Sequence, residues 1–197
     1  MSAAGRRGLV LLHGRGGSGG DMRGLIEPLG ATDFAVATPE AQGRSWWPTS
    51  FLAPMAQMEG PVRAGLSAID AALAELNLPR DRVAILGFSQ GACLVLEYAA
   101  RCGAGLGGVI ALSGGLVGTA DAAGGGKAFG YDTDLSGLRA LVTCHEGDPH
   151  IPLERARRSA AVLENLGASA EMIVHPGPGH QPMPEGIAAA RSILATL

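Results

Sequence analysis

Lysine is nearly absent from this 197-residue sequence: Lys127 is the one example, and 15 basic residues face 18 acidic ones. A chain without a basic face has little with which to neutralise phosphates, so nucleic acid and anionic lipid surfaces are excluded as main partners. No apolar run approaches the roughly 18 residues of a membrane-spanning helix. Arg6 and Arg7 do precede an apolar stretch at 9–12, but it is far short of the roughly 7–15 residues of a secretory signal core. Cysteine is scarce too. Cys93, Cys102 and Cys144 are odd in number, lack metal-ligand spacing and lie in apolar stretches, which excludes a disulfide framework and predicts reduced core thiols in a cytoplasmic protein. There is also no long polar tract, linker or internal repeat, so residues 1–197 are expected to form a single domain with a sizeable core.

What the sequence does have is alternation. Short apolar runs bounded by Gly, Pro or Asp predict strands at 8–13, 34–38, 82–88, 108–113, 140–145 and 171–175. Longer stretches of helical spacing predict helices at 21–29, 61–76, 91–102, 152–166 and 183–197. Pro61 and Pro152 suit first helical turns, where a missing N–H costs nothing, and Gly167 suits a helix stop. This order argues for βαβ units and a mostly parallel sheet. Residues 116–137, rich in Gly, Ala and Asp, break the pattern and read as a long loop, either functional or a surface insertion of no consequence.

Glycine is abundant, at 31 residues, and so short glycine patterns arise freely. Two stretches match Gly-x-Ser-x-Gly, one around Ser18 (16–20) and one around Ser89 (87–91). A nucleophile elbow needs a strand running directly into the Ser and a helix leaving directly after it. Val83-Ala84-Ile85-Leu86 leads into Ser89 and Ala92-Cys93-Leu94-Val95-Leu96 leads out, so Ser89 is the expected nucleophile; Ser18 lies in a glycine run beyond its strand. A rival reading is dinucleotide binding, because Gly14-Arg15-Gly16-Gly17-Ser18-Gly19 fits Gly-x-Gly-x-x-Gly and the acidic Glu40 follows the next strand. The same spacing recurs at 103–108, between a helix and a strand, where it carries no such meaning.

A serine hydrolase with this elbow requires an acid and then a histidine, each in a loop after a later strand. Asp148 follows the fifth predicted strand and His180 the sixth, within Pro176-Gly177-Pro178-Gly179-His180-Gln181. Glu146 competes as the acid, but Asp148 is nearer the loop apex. Of the other histidines, His175 and His145 end strands and are expected to pack or cap. His13 is expected to shape the glycine loop, and His150 to line the site or face solvent.

Leu12-His13-Gly14-Arg15-Gly16-Gly17, Gly87-Phe88-Ser89-Gln90-Gly91-Ala92, Gly147-Asp148-Pro149-His150-Ile151-Pro152 and Pro178-Gly179-His180 together resemble the phospholipase/carboxylesterase family, bacterial relatives of the acyl-protein thioesterases. The resemblance spans nearly the whole chain. It implies an α/β-hydrolase fold, a minimal, mostly parallel, doubly wound sheet of about six or seven strands without a lid domain. It further implies a catalytic set of Ser89, Asp148 and His180, with an oxyanion hole from the backbone N–H groups of Arg15 and Gln90. Trp46 and Trp47, in Ser45-Trp46-Trp47-Pro48, look like the family's acyl-pocket segment or, alternatively, a packed loop anchor. His150 and Met183 complete the expected substrate contacts. The expected reaction is hydrolysis of small to medium acyl esters or thioesters, with no metal or organic cofactor. The expected partner is that small substrate, and a homodimer is compatible with the sequence. A non-catalytic binder on the same fold is the alternative from another class, although binding alone gives no reason for Ser, Asp and His in this order.

Overall fold

A computed structural model describes residues 5–119 and 128–197. Six strands, β1 (Gly8–Leu12), β2 (Ala35–Ala37), β3 (Val83–Phe88), β4 (Gly108–Leu112), β5 (Arg139–Gly147) and β6 (Ser169–Pro178), form one sheet in the order β2-β1-β3-β4-β5-β6. Every neighbouring pair is parallel. The central strands are buried on both faces, which explains why they read as unbroken apolar runs rather than as alternating ones.

Period-2 geometry splits those runs between two cores. Leu9, Leu11, Ala84, Leu86, Ile110 and Leu112 face one layer, formed by α1 (Gly19–Arg23) and α5 (Pro184–Leu194). Val10, Leu12, Val83, Ile85, Val109 and Ala111 face the other, formed by α2 (Met55–Leu76), α3 (Gln90–Cys102) and α4 (Leu153–Asn165). The chain therefore reverses its winding between β1 and β3, which lie side by side. The loops leaving their carboxyl ends diverge there and open the crevice where α/β sheets bind ligands.

Several boundaries differ from expectation. The helix expected at 21–29 is regular only over Gly19–Arg23; Gly24, Leu25 and Ile26 then bond three residues back, and Pro28 and Gly30 (φ 65°) prevent its continuation. α2 starts at Met55, so Pro61 lies inside the helix, not at its start. The early turn is held from outside: the Met55 N–H donates to Thr119 O at 3.1 Å, and Met58 is fully buried. β5 and β6 each run past their expected ends, with an irregular register between His145 and Gly147. Cys102, expected in the core, is exposed at the end of α3, whereas Cys93 and Cys144 are buried.

The ends of the stretch expected to be a loop at 116–137 are part of the core; its middle, 120–127, lies outside the described residues. Leu116, Val117 and Leu135 are fully buried. The Arg155 guanidinium donates to Leu116 O and Gly118 O at 2.7 and 2.8 Å, and the Leu116 N–H donates to Ser159 Oγ at 2.9 Å. These anchored ends are no inconsequential insertion. No helix among the described residues is long and apolar enough to cross a membrane.

Candidate active site

Ser89 stands between β3 and α3 at φ 54° and ψ −117°. Positive φ at a non-glycine residue costs on the order of 1–3 kcal/mol and persists only where its surroundings enforce it. Here they do. The Ser89 N–H donates to Leu112 O at 2.9 Å, and Ser89 O accepts the first α3 bond from Cys93 N–H at 3.0 Å. A Cβ on Gly87 would lie 2.2 Å from Gly91 O, and one on Gly91 would lie 2.3 Å from Leu12 O. The two glycines therefore let β1, β3 and α3 approach closely enough to make the turn. Ser89 Oγ makes no capping bond to α3, so it stays free for a partner while the positive end of the helix points at it.

That partner is His180. Its Nε2 lies 2.8 Å from Ser89 Oγ, and its Nδ1 lies 2.8 Å from Asp148 Oδ2. Asp148 is locked in turn, because its Oδ1 accepts the N–H groups of His150 and Ile151 at 2.8 and 2.9 Å. Its side chain is wholly buried, whereas that of His180 is 20% exposed. The structure thus joins Ser89, His180 and Asp148 in one hydrogen-bonded chain. Glu146, the competing acid, instead accepts the Gly177 N–H at 3.1 Å.

The loop after β1 lies against the elbow so closely that a Cβ on Gly14 would be 3.1 Å from Ser89 Cβ. Its shape is set by His13, whose Nδ1 bonds Gly14 O at 2.7 Å while Nε2 accepts the Ala41 N–H at 3.1 Å. This pattern requires the neutral ring with its proton on Nδ1. Arg15 and Gln90 border the same cavity as Ser89. The Gln90 N–H belongs to the first turn of α3, where helix geometry leaves donors unpaired. The Gln90 side chain is a clasp: Oε1 accepts the Trp46 N–H and Nε2 donates to Trp47 O, both at 2.9 Å.

The cavity holds about 590 Å³ and is bordered by Trp47, Phe51, Phe88, Cys93 and Ile151, with His150 and His180 at its polar side. Two expected substrate contacts are not brought to it. Trp46 turns inward, stacking on His13 at 5.2 Å and donating from Nε1 to His13 O at 2.9 Å. Its role here is to brace the glycine loop. Met183 precedes the first turn of α5 and lies outside the lining. Phe51, Phe88 and Cys93 were missed in the sequence; an aromatic three residues past the Trp-Pro segment and a Cys one turn beyond Ser89 were the available signals. Burial pushes the Cys93 thiol up to about 12, so it remains protonated and inert beside the serine.

In the dinucleotide alternative the acid, Glu40, is already engaged, since its Oε1 reaches across from the segment after β2 to accept the Gly19 N–H at the start of α1 at 2.8 Å. Residues 3–197 match the Phospholipase/Carboxylesterase family. The chain belongs to that family. It is a serine hydrolase on the α/β-hydrolase fold. Among solved structures it is similar to a phospholipase/carboxylesterase from Dyadobacter fermentans, with a TM-score of 0.88 and 32% identity over 99% of this chain and 93% of that one. A carboxylesterase from Mesorhizobium loti shares the fold at a TM-score of 0.73 and 21% identity, covering 99% of this chain and 92% of that one. Acyl-protein thioesterase 1 of Gibberella zeae is 32% identical over 118 residues, 58% of this chain and 47% of that protein. The matched region thus spans about half the length of that curated relative.

Proposed function

We propose that this family member is a serine esterase that hydrolyses small to medium acyl esters or thioesters through an acyl-enzyme on Ser89. The unbroken chain from Asp148 through His180 to a strained Ser89 supports this reading above all else. Ser89 Oγ attacks the acyl carbonyl as His180 Nε2 takes its proton, and the same proton passes to the leaving alcohol or thiol. Asp148 keeps the other proton on Nδ1 and stabilises the imidazolium. The oxyanion develops against the backbone N–H groups of Arg15 and Gln90, donors typically worth about 2.7–4 kcal/mol each. Water activated by His180 then frees the enzyme.

The acyl chain fits the apolar wall of Trp47, Phe51 and Ile151, and the cavity volume is in the usual range for a small ligand. The thioester part of the proposal draws on the likeness to the Gibberella zeae protein. The test pairs a fluorophosphonate probe with a chain-length panel of esters and acyl thioesters. Ser89 should be the labelled residue, and turnover should peak at short or medium chains. Labelling that survives in Ser89→Ala would overturn the mechanism. Activity that climbs steadily to long chains and jumps above the micelle concentration would overturn the substrate class.

A further inference from the structure

The segment bearing His180 follows a strand at the sheet's edge and is rich in glycine and proline, composition that by itself gives no rigidity. Beneath it lies a buried pair of histidines. His145, on β5, and His175, on β6, are direct neighbours in the sheet register. They are 2% and 3% exposed, and their rings are 5.1 Å apart. Neither ring touches Ser89, His180 or Asp148 by any hydrogen bond among the described residues.

The His145 ring nevertheless reaches the His180 segment on both sides of that residue. On one side its Nε2 is 3.2 Å from Gln181 O. A carbonyl oxygen only accepts, so the proton of neutral His145 must be on Nε2. On the other side a Cβ on Gly179 would lie 2.6–2.9 Å from Cε1, Nδ1 and Nε2 of the ring. The absent side chain is what allows the backbone to rest directly on the imidazole. His145 Nδ1 and His175 Nε2 are buried without a hydrogen-bond partner, an uncompensated burial of polar atoms. A Leu or Phe of similar size fills such a space without that penalty, so packing alone does not account for an imidazole here.

We propose that His145 is a positioning residue for His180: its Nε2–H holds Gln181 O while its ring seats Gly179, fixing the imidazole of His180 between Ser89 and Asp148. His175 packs behind it, and burial lowers its pKa by disfavouring the charged ring. The inference rests on the reading of His180 as the base. Misplacing a catalytic group by about 1 Å costs on the order of a hundredfold in rate. Removing one of two supports should cost less.

The test compares two replacements of similar size. His145→Phe keeps a ring under Gly179 but removes the donor; His145→Gln carries a donor near the position of Nε2. We expect kcat to fall roughly tenfold or more in His145→Phe with KM nearly unchanged, and His145→Gln to recover most of the loss, the signature of a contribution made in the transition state. Gly179→Ala should lose kcat in the same way, and adding His145→Ala to it should recover part, because the collision is removed; this second pair decides the question if His145→Phe does not fold. Wild-type kcat in both His145→Phe and Gly179→Ala, or equal losses in His145→Phe and His145→Gln, would overturn the positioning role. His180→Ala separates the two layers. Wild-type turnover there sinks the base assignment itself, whereas lost turnover there with intact turnover in both His145→Phe and Gly179→Ala sinks only the role of His145.

Discussion

Ser18 and Ser89 are each centred in a Gly-x-Ser-x-Gly stretch, yet their backbones differ completely: Ser18 is extended at φ −143° and ψ 164°, whereas Ser89 is at φ 54° and ψ −117°. Ser18 uses its hydroxyl locally. It caps α1, accepting the Asp21 N–H at 3.2 Å, while Asp21 Oδ2 accepts the Ser18 N–H and Oγ–H at 2.8 Å each. Ser89 heads a longer helix and makes no such bond. A relaxed serine satisfies its own helix, and a strained one is left with its oxygen unspent. The difference comes from the surroundings. The turn at Ser89 is crossed by β1 and β4, while the turn at Ser18 is met instead by the segment after β2, where Glu40 accepts the Gly19 N–H and Arg44 Nε donates to Gly17 O.

The largest effect should come from deleting each hydroxyl. Ser89→Ala should reduce turnover by at least about a thousandfold with little change in stability. Ser18→Ala should leave turnover intact and cost roughly 1 kcal/mol of stability as a lost helix cap. Ester kinetics alongside chemical denaturation measures both. Turnover lost equally in the two variants would erase the distinction between them.

The flanking glycines should separate next. Gly91→Ala puts a methyl 2.3 Å from Leu12 O, a backbone atom that cannot swing away, and should cost roughly 3 kcal/mol or more. Gly20→Ala, at the matching position of the other stretch, meets nothing nearer than Ser18 Oγ at 3.5 Å. It should be neutral or stabilising by about 0.4–1 kcal/mol, since it sits in a helix and restricts the unfolded chain. Melting temperatures of the two variants, compared with the parent, give the answer.

This contrast also marks where the sequence was legible. Strand, turn and helix around Ser89 follow from local periodicity, and so do the loops carrying Asp148 and His180, because each sits just beyond an apolar run. Local pattern also gave the sheet, since the strands are doubly buried and read as continuous apolar runs. It was silent where the deciding atoms are distant in the chain. Nothing near Trp46 and Trp47 says which ring turns toward His13 and which toward the cavity; Gln90, some 44 residues on, settles it. Pro61 reads as a helix start, yet Thr119 draws the helix back to Met55. The Gly179 contact with the His145 ring depends on a parallel register between β5 and β6, which no local rule supplies.

The Ser18 loop still serves the Ser89 site through Arg15, at its start. The guanidinium donates to Pro48 O at 2.9 Å and to Thr49 O, tying the cavity wall to the glycine loop. Arg15→Ala retains the backbone N–H, so oxyanion stabilisation should survive in large part while the wall at 48–51 loosens. The expected outcome is a several-fold drop in kcat/KM for the best acyl length and a flatter chain-length profile. A uniform loss at every chain length would instead mean that the side chain supports the oxyanion hole and not the wall.

The smallest expected effect concerns the relaxed serine. The Ser18 hydroxyl and N–H hold the Asp21 carboxyl below its ordinary value of 3.8, with Arg44 assisting. A carboxylate whose pKa is depressed by folding adds stability above the unfolded value, and that contribution disappears as pH falls through the folded one. The capping box should therefore weaken only below about pH 4. Asp21 is exposed, so solvent screens the interaction and the change in melting temperature should be slight. The measurement is the difference in melting temperature between the parent and Asp21→Asn, followed from about pH 6 down to about pH 2, roughly two units either side of the ordinary carboxylate value. That difference should shrink on acidification as the parent loses its carboxylate. Ester turnover at neutral pH should be the same in both proteins, because α1 touches neither His180 nor the elbow. A difference that stays constant with pH would mean that Asn caps differently for steric reasons and that charge at Asp21 contributes nothing.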